Sequence, residues 1–163
     1  MIFVVGGDLA SAAADAVVRP ATTTLDLIDP ALRTLDAAAG PRFAEQRRLR
    51  QQLAPGAAVV TGAGDLTAEF VVHAVLGRSA ETVTPDAVSN AVAAALWQCT
   101  QWHITTLACP AVGVPALTTA ESADVILPII REHMRNADHP TTVLVILSDP
   151  QDQETFTARL GQG

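Results

Sequence analysis

The capping box Thr118-Thr-Ala-Glu121 lies where a loop passes into a helix, and that junction is the strongest chemical signal in the chain. Upstream, Ile104-Thr-Thr-Leu-Ala-Cys109 reads as a strand and Pro110 to Leu117 as the loop. Downstream, Ala123, Ile126, Leu127, Ile130 and Met134 recur at helical spacing. A helix N-terminus beside a loop at the carboxyl end of a strand offers free amides and a positive dipole, which suit an anion such as a phosphate. An ordinary strand-to-helix connection fits the same pattern. The other chemically capable residues are less ordered. His73, His103, His133 and His139 have no ligand spacing, so no metal site is expected. Cys99 and Cys109 form no C-x-x-C and fall in a predicted helix and a predicted strand, where they read as small buried apolar residues.

The elements that must position these residues alternate between strand and helix, which points to a layered α/β fold. Strands are expected at Ile2 to Val5, Ala16 to Arg19, Ala57 to Thr61, Glu69 to Val75, Ile104 to Cys109 and Thr142 to Leu147. Helices are expected at about Pro30 to Ala39, Arg42 to Leu53, Pro85 to Cys99, Thr119 to Arg135 and Gln151 to Leu160. Thr84 and Pro85 open the third of these as N-cap and first turn, and Pro128 predicts a kink or restart in the fourth. Trp97 and Trp102 read as packing residues.

With 163 residues, 49% of them apolar, the chain can bury a full core as one domain spanning residues 1–163. The net charge of −7 argues against a nucleic-acid or anionic-membrane surface. Arg47-Arg48-Leu49-Arg50 is the nearest exception and reads as a solvated helix face. Met1-Ile-Phe-Val-Val5 is too short for a signal peptide, and no apolar run reaches membrane-spanning length, so the expectation is a soluble, cytoplasmic protein.

Several short segments, taken in order, resemble the macro domain family. They are Gly7-Asp8-Leu9, Ala14-Asp-Ala-Val-Val18, Ala38-Ala-Gly40, Pro55-Gly-Ala-Ala-Val-Val-Thr61, Val71-Val-His73-Ala-Val75 and Cys109-Pro-Ala-Val-Gly113. The resemblance covers nearly the whole chain. It implies a three-layer α/β/α sandwich around a mixed, roughly six-stranded sheet, with ADP-ribose or a related adenine nucleotide as the ligand and no cofactor. An ADP-ribosylated protein is a further partner it allows. By the same resemblance Asp8 accepts the adenine amino group, Leu9 meets the ring, and Leu147 stands where family members often stack an aromatic. Ala21 and Thr22 face the distal ribose, and Gly113, Val114, Pro115, Ala116 and Leu117 form the second phosphate loop. Asp8 could equally cap the segment that follows it.

The departures from the family pattern are concentrated at one end. The hydrolytic members' Asn-Ala-Ala-Asn is replaced by Arg19-Pro20-Ala21-Thr22, and the glycine-rich loop by Asp26-Leu-Ile-Asp-Pro-Ala-Leu32, which has no glycine and two acids. Pro115 removes an amide from the second loop, leaving those of Val114, Ala116 and Leu117. The expected function is therefore a divergent macro domain that binds ADP-ribose or a relative without hydrolysing it. One alternative is a degenerate fold serving as an interaction module, its cleft filled by Ile28, Leu32, Pro115 and Leu117. The other is a hydrolase with Asp26 or Asp29 as general base near Arg19.

Overall fold

The structure, a computed structural model, describes residues 1–163. Six strands form one sheet: β1 (Ile2–Gly6), β2 (Ala16–Thr22), β3 (Ala58–Gly62), β4 (Phe70–Gly77), β5 (Thr106–Cys109) and β6 (Thr142–Leu147). Their order is β1-β6-β5-β2-β4-β3, and every pairing is parallel except the antiparallel β3 with β4. Valine-rich β2 and β4 are buried on both faces, as central parallel strands require. Five helices cover the sheet: α1 (Arg33–Ala39), α2 (Pro41–Gln46), α3 (Pro85–Gln101), α4 (Thr119–Asn136) and α5 (Pro150–Gly161).

The period-two alternation of the strands divides the core between the two faces. Val18, Val72, Leu107 and Val145 face α3, α4 and α5, whose Val88, Ala91, Ala123, Ile126 and Phe156 complete a cluster of 26 buried residues. Val17, Ala108 and Ile146 point the other way, toward Leu9 and Leu35, and Val71 packs with Phe43 of α2. The result is the expected α/β/α sandwich on a mixed six-stranded sheet.

Cap chemistry sets the helix starts. Thr84 accepts the Ala87 amide at 3.1 Å and Pro85 occupies the first turn of α3. At α4, Thr118 Oγ1 accepts the Glu121 amide while Glu121 accepts the Thr118 amide, so the capping box is formed. No helix is long and apolar enough to cross a membrane.

Two local expectations are corrected. The second helix ends at Gln46 rather than Leu53, because Arg47 turns inward: its Nη1 donates to the Leu25 carbonyl at 3.0 Å, and its guanidinium lies over the Phe43 ring. It is therefore a structural residue and no part of a solvated face. Pro128 lies inside α4, which is one continuous helix. Trp97 and Trp102 are 57% and 52% exposed, so neither is a core residue, although Trp102 tilts against Phe70 with ring centroids 5.3 Å apart.

Candidate functional site

The carboxyl ends of the four parallel strands β1, β6, β5 and β2 open onto a cavity of about 430 Å³, within the range of small-molecule sites. Each strand hands a different segment to the wall. β1 leads into Gly7, Asp8 and Leu9; β6 ends in Ile146, Leu147 and Ser148; β5 leads into Pro110 and Ala111; and the connection after β2 supplies Asp29, Ala31 and Leu32. Thr34 of α1, Val114, Thr119 of α4 and Asp152 of α5 complete it.

Apolar and polar residues share the wall. Leu9, Ile146 and Leu147 supply apolar contacts at the ends of β1 and β6, and Asp8 stands next to Leu9. Asp8 is the N-cap of a 3-10 turn (Leu9–Ser11), and its Oδ1 accepts the Ala10 amide at 3.0 Å, leaving Oδ2 without a partner. The capping role and an outward acceptor therefore coexist in one carboxylate. Asp29 caps a second 3-10 turn (Pro30–Leu32) in the same way, through Oδ1 to the Ala31 amide at 3.0 Å. Burial raises the Asp29 carboxyl above its ordinary value, and the Ala31 hydrogen bond only partly opposes this. Asp152 accepts the Thr119 hydroxyl at 2.9 Å, tying α5 to the start of α4 across the cavity floor. No arginine lines the cavity. The donors are neutral: the amides of Asp8, Asp29 and Ser148 and the hydroxyls of Thr34 and Ser148 make no hydrogen bond within the chain.

Four of the sequence-derived positions, Asp8, Leu9, Val114 and Leu147, stand in the wall. Ala21, Thr22, Gly113, Pro115, Ala116 and Leu117 stand outside it. Thr22 is buried and its hydroxyl is used locally, accepting the Asp26 amide at 3.1 Å and meeting Thr24 Oγ1 at 3.1 Å. The amides of Thr22, Thr23, Thr24, Leu25 and Asp26 all have partners within the chain, so this loop has no donors to spare. In the second loop the Leu117 amide donates to the Gly113 carbonyl at 2.9 Å and the Val114 amide to Ala111 at 3.4 Å, contrary to the expectation that both are free. Gly113 is needed for packing: its φ is +103°, and a Cβ there would come within 2.8 Å of Leu117 and 3.0 Å of Val88. Leu117 and Ile28 belong to the core, and the cavity is open rather than filled.

Arg19 is not at the cavity. It is fully buried between the sheet and the helices α1 and α2. Its Nε and Nη2 each donate to a different oxygen of Asp36, both at 2.8 Å, while Nη1 donates to the Leu25 carbonyl at 2.8 Å. The neighbouring register position on β4 is His73, equally buried and stacked on Phe43 at 5.6 Å. Arg19 Nη1 lies 3.4 Å from His73 Nδ1, which must then be an acceptor. The other nitrogen, Nε2, accordingly carries the proton toward Thr61 Oγ1 at 2.8 Å. Burial first, and then the charges of Arg19 and Arg47, push the His73 pKa down to about 3.

This histidine ties stability to pH. Its folded value lies below the ordinary 6.5, so the unfolded chain binds the extra proton. The contribution is complete above about pH 6.5 and is lost as pH falls toward 3, at up to about 1.4 kcal/mol per pH unit. Urea unfolding across that window is expected to show a steeper acid loss for the native chain than for His73→Gln. Identical slopes would show that His73 is protonated without cost.

Ser148, Thr119 and Asp152 were not singled out as contacts from sequence, and Asp29 was named there only for repulsion of a diphosphate and as a candidate general base. For Asp152 the signal was present in Asp149-Pro150, a cap and first-turn proline that fix where α5 starts. Both cysteines are free and buried, and burial pushes each thiol up to about 12, so neither is a nucleophile.

The chain matches the family model of the macro domain over residues 18–125. It is 30% identical to the O-acetyl-ADP-ribose deacetylase of Enterobacter sp. (strain 638), over 99% of this chain and 94% of that protein. Among solved structures it is similar to a mutant of the Oceanobacillus iheyensis macrodomain with ADPR, at a TM-score of 0.85 and 19% identity, covering 98% of this chain and 91% of the other. It is also similar to the Trypanosoma brucei macrodomain in complex with ADP-ribose, at a TM-score of 0.85 and 16% identity, covering 99% and 69%.

Proposed function

Because the chain belongs to the macro domain family, we propose that its cavity binds ADP-ribose or a related adenine nucleotide and does not hydrolyse it. The observation that carries this reading is the cavity wall itself. Leu9, Ile146 and Leu147 line the cavity together with Asp8, whose second oxygen has no partner, and these suit the face and the amino group of adenine. Unpaired amides of Asp29 and Ser148, with the Thr34 and Ser148 hydroxyls, suit a diphosphate and a ribose. The proposal of binding without turnover is supported by Arg19 and Thr22. They replace the two asparagines, and both are turned into the protein and hydrogen-bonded there. No side chain from that segment lines the cavity to orient a water.

One feature favours a second reading. Asp29 faces the cavity with its carboxyl raised, as a general base requires, and the Enterobacter relative is named a deacetylase. The reading is then hydrolysis of an ADP-ribose ester.

Calorimetric titration with ADP-ribose and AMP, followed by an acetate-release assay on O-acetyl-ADP-ribose, separates these readings. Micromolar binding of ADP-ribose with no acetate released is the expected result. Acetate release that Asp29→Asn abolishes would replace the proposal by the second reading. No heat with either nucleotide would reject both.

A further inference from the structure

The two edges of the sheet are finished differently. At β3 the Ala57 carbonyl accepts the Val75 amide inward, so the alternate residues Ala58, Val60 and Gly62 point their carbonyls away from β4. Gln98 of α3 donates to the Ala58 carbonyl at 3.2 Å and Thr61 Oγ1 to the Gly62 carbonyl at 2.9 Å, which shields that edge. β1 has no such cover. Its Met1 carbonyl and Gly7 amide bond to β6, which leaves the amides and carbonyls of Ile2, Val4 and Gly6 on the outer edge, where no side chain bonds to them. The strand carries no charge, proline or bulge to discourage pairing. α5 packs on one face, against Ile2 and Val4, while on the other face Phe3 and Val5 stay 43% and 39% exposed.

We infer that β1 is the contact strand of a homodimer, in which two copies of this chain pair antiparallel about Val4 and join their sheets into one. The register is self-complementary. With Val4 opposite Val4 of the second copy, Ile2 faces Gly6, and the outward residues of the two strands exchange about six hydrogen bonds. Phe3 then lies directly across from Val5 at the close, non-hydrogen-bonded spacing, an aromatic and β-branched pair formed twice on the exposed face. Charge favours the antiparallel sense. Arg131 and Arg135 stand by Met1 and Ile2 at one end of the strand, while Glu154 stands beside Gln153, whose side chain lies against Gly6 at the other. Turning one copy round brings the basic end of each toward the acidic end of the other, whereas a parallel pair sets like against like. The outer side of α5 presents the short side chains of Thr157 and Ala158, both exposed, which admit the second copy's helix. Met1, Phe3, Val5 and that side of α5 bury on the order of 600 Å² per copy, at the low end for specific interfaces, which fits a reversible dimer.

Sedimentation velocity over a concentration series, from about 1 μM to about 1 mM, reads the association directly. The native chain is expected to pass reversibly from monomer to dimer with a Kd in the micromolar range. Phe3→Lys combined with Val5→Lys sets like charges across the pair without touching the ladder to β6. It is expected to weaken dimerisation about tenfold or more while keeping the thermal transition. Should the double variant fail to fold, Val5→Lys alone takes its place with the same expected direction. Register is read by Phe3→Cys combined with Val5→Cys, whose facing thiols are expected to give a disulfide-linked dimer with oxidised glutathione at a concentration where the native chain is dimeric. Cys99 and Cys109 are buried and take no part. A dimer as tight in the lysine variants as in the native chain, or no cross-link, overturns the inference. So does a native chain that is monomeric at every concentration, which leaves the edge to an extended segment of another protein.

Discussion

Replacing Arg19 by alanine is expected to destabilise the protein by about 3–5 kcal/mol, the usual cost of removing one member of a buried ion pair. The loss has three parts. Asp36, whose side chain is only 21% exposed, keeps its charge and loses two hydrogen bonds of 2.8 Å. His73 Nδ1 loses its only donor, and Thr61 cannot supply another because it already meets Nε2. A long side chain also disappears from a fully buried position beside Phe43, leaving a cavity. Arg47 limits the damage, since it still reaches the Leu25 carbonyl at 3.0 Å and lies 3.9 Å from Asp36. The double change Arg19→Met, Asp36→Leu is expected to recover a large part of the loss by removing both charges together. Urea midpoints measure both, provided the slope is unchanged. A single-variant loss below about 1 kcal/mol would mean that Arg47 alone satisfies this cluster.

The second large effect belongs to the cavity. Asp8→Ala is expected to weaken adenine-containing ligands by about 1.5–3 kcal/mol, the size of a hydrogen bond to a charged group. The same change removes the cap on the Ala10 amide, at a stability cost of about 1 kcal/mol. Asp8→Asn separates the two roles, because its amide oxygen keeps the cap while the charge is gone. Titration with AMP reads the binding term and thermal unfolding the capping term. If Asp8→Ala loses stability but binds AMP as tightly as the native chain, Asp8 is a cap only.

Much of the fold was legible because its signals are local. The Thr84-Pro85 start and the Thr118/Glu121 box announced α3 and α4, and β6 occupies Thr142–Leu147 as its apolar run suggested. The end of α2 was illegible for the opposite reason. Its sequence favours helix to Leu53, but Arg47 is pulled inward by Leu25 and Asp26, contacts 22 and 21 residues away that no local pattern displays. Arg19 is a similar case. An arginine inside a strand buried on both faces must have a partner, and that much follows from burial alone. That the partner is Asp36 of α1, and that the pair turns away from the cavity, depends on how the helix lies on the sheet.

The candidate site was legible where it follows strand ends directly, as with Asp8, Leu9 and Leu147. It was not legible in the second loop, where Gly113 and Leu117 pack against each other beneath Val114 instead of facing outward. Asp29 was seen in the sequence as a source of repulsion and as one of two candidates for a general base. Its placement as a half-buried cap in the cavity wall, with its carboxyl raised by burial, depends on how the connection after β2 packs and no local pattern displays it.

The most direct test of the central claim is an amide NMR titration of the isotopically labelled chain with ADP-ribose. Saturable shifts are expected at Asp8, Leu9, Asp29, Val114 and Ser148, with the amides around His73 and Trp97 unmoved. Shifts absent from the cavity wall, or saturable shifts confined to another surface such as that around Trp97 and Trp102, would contradict it.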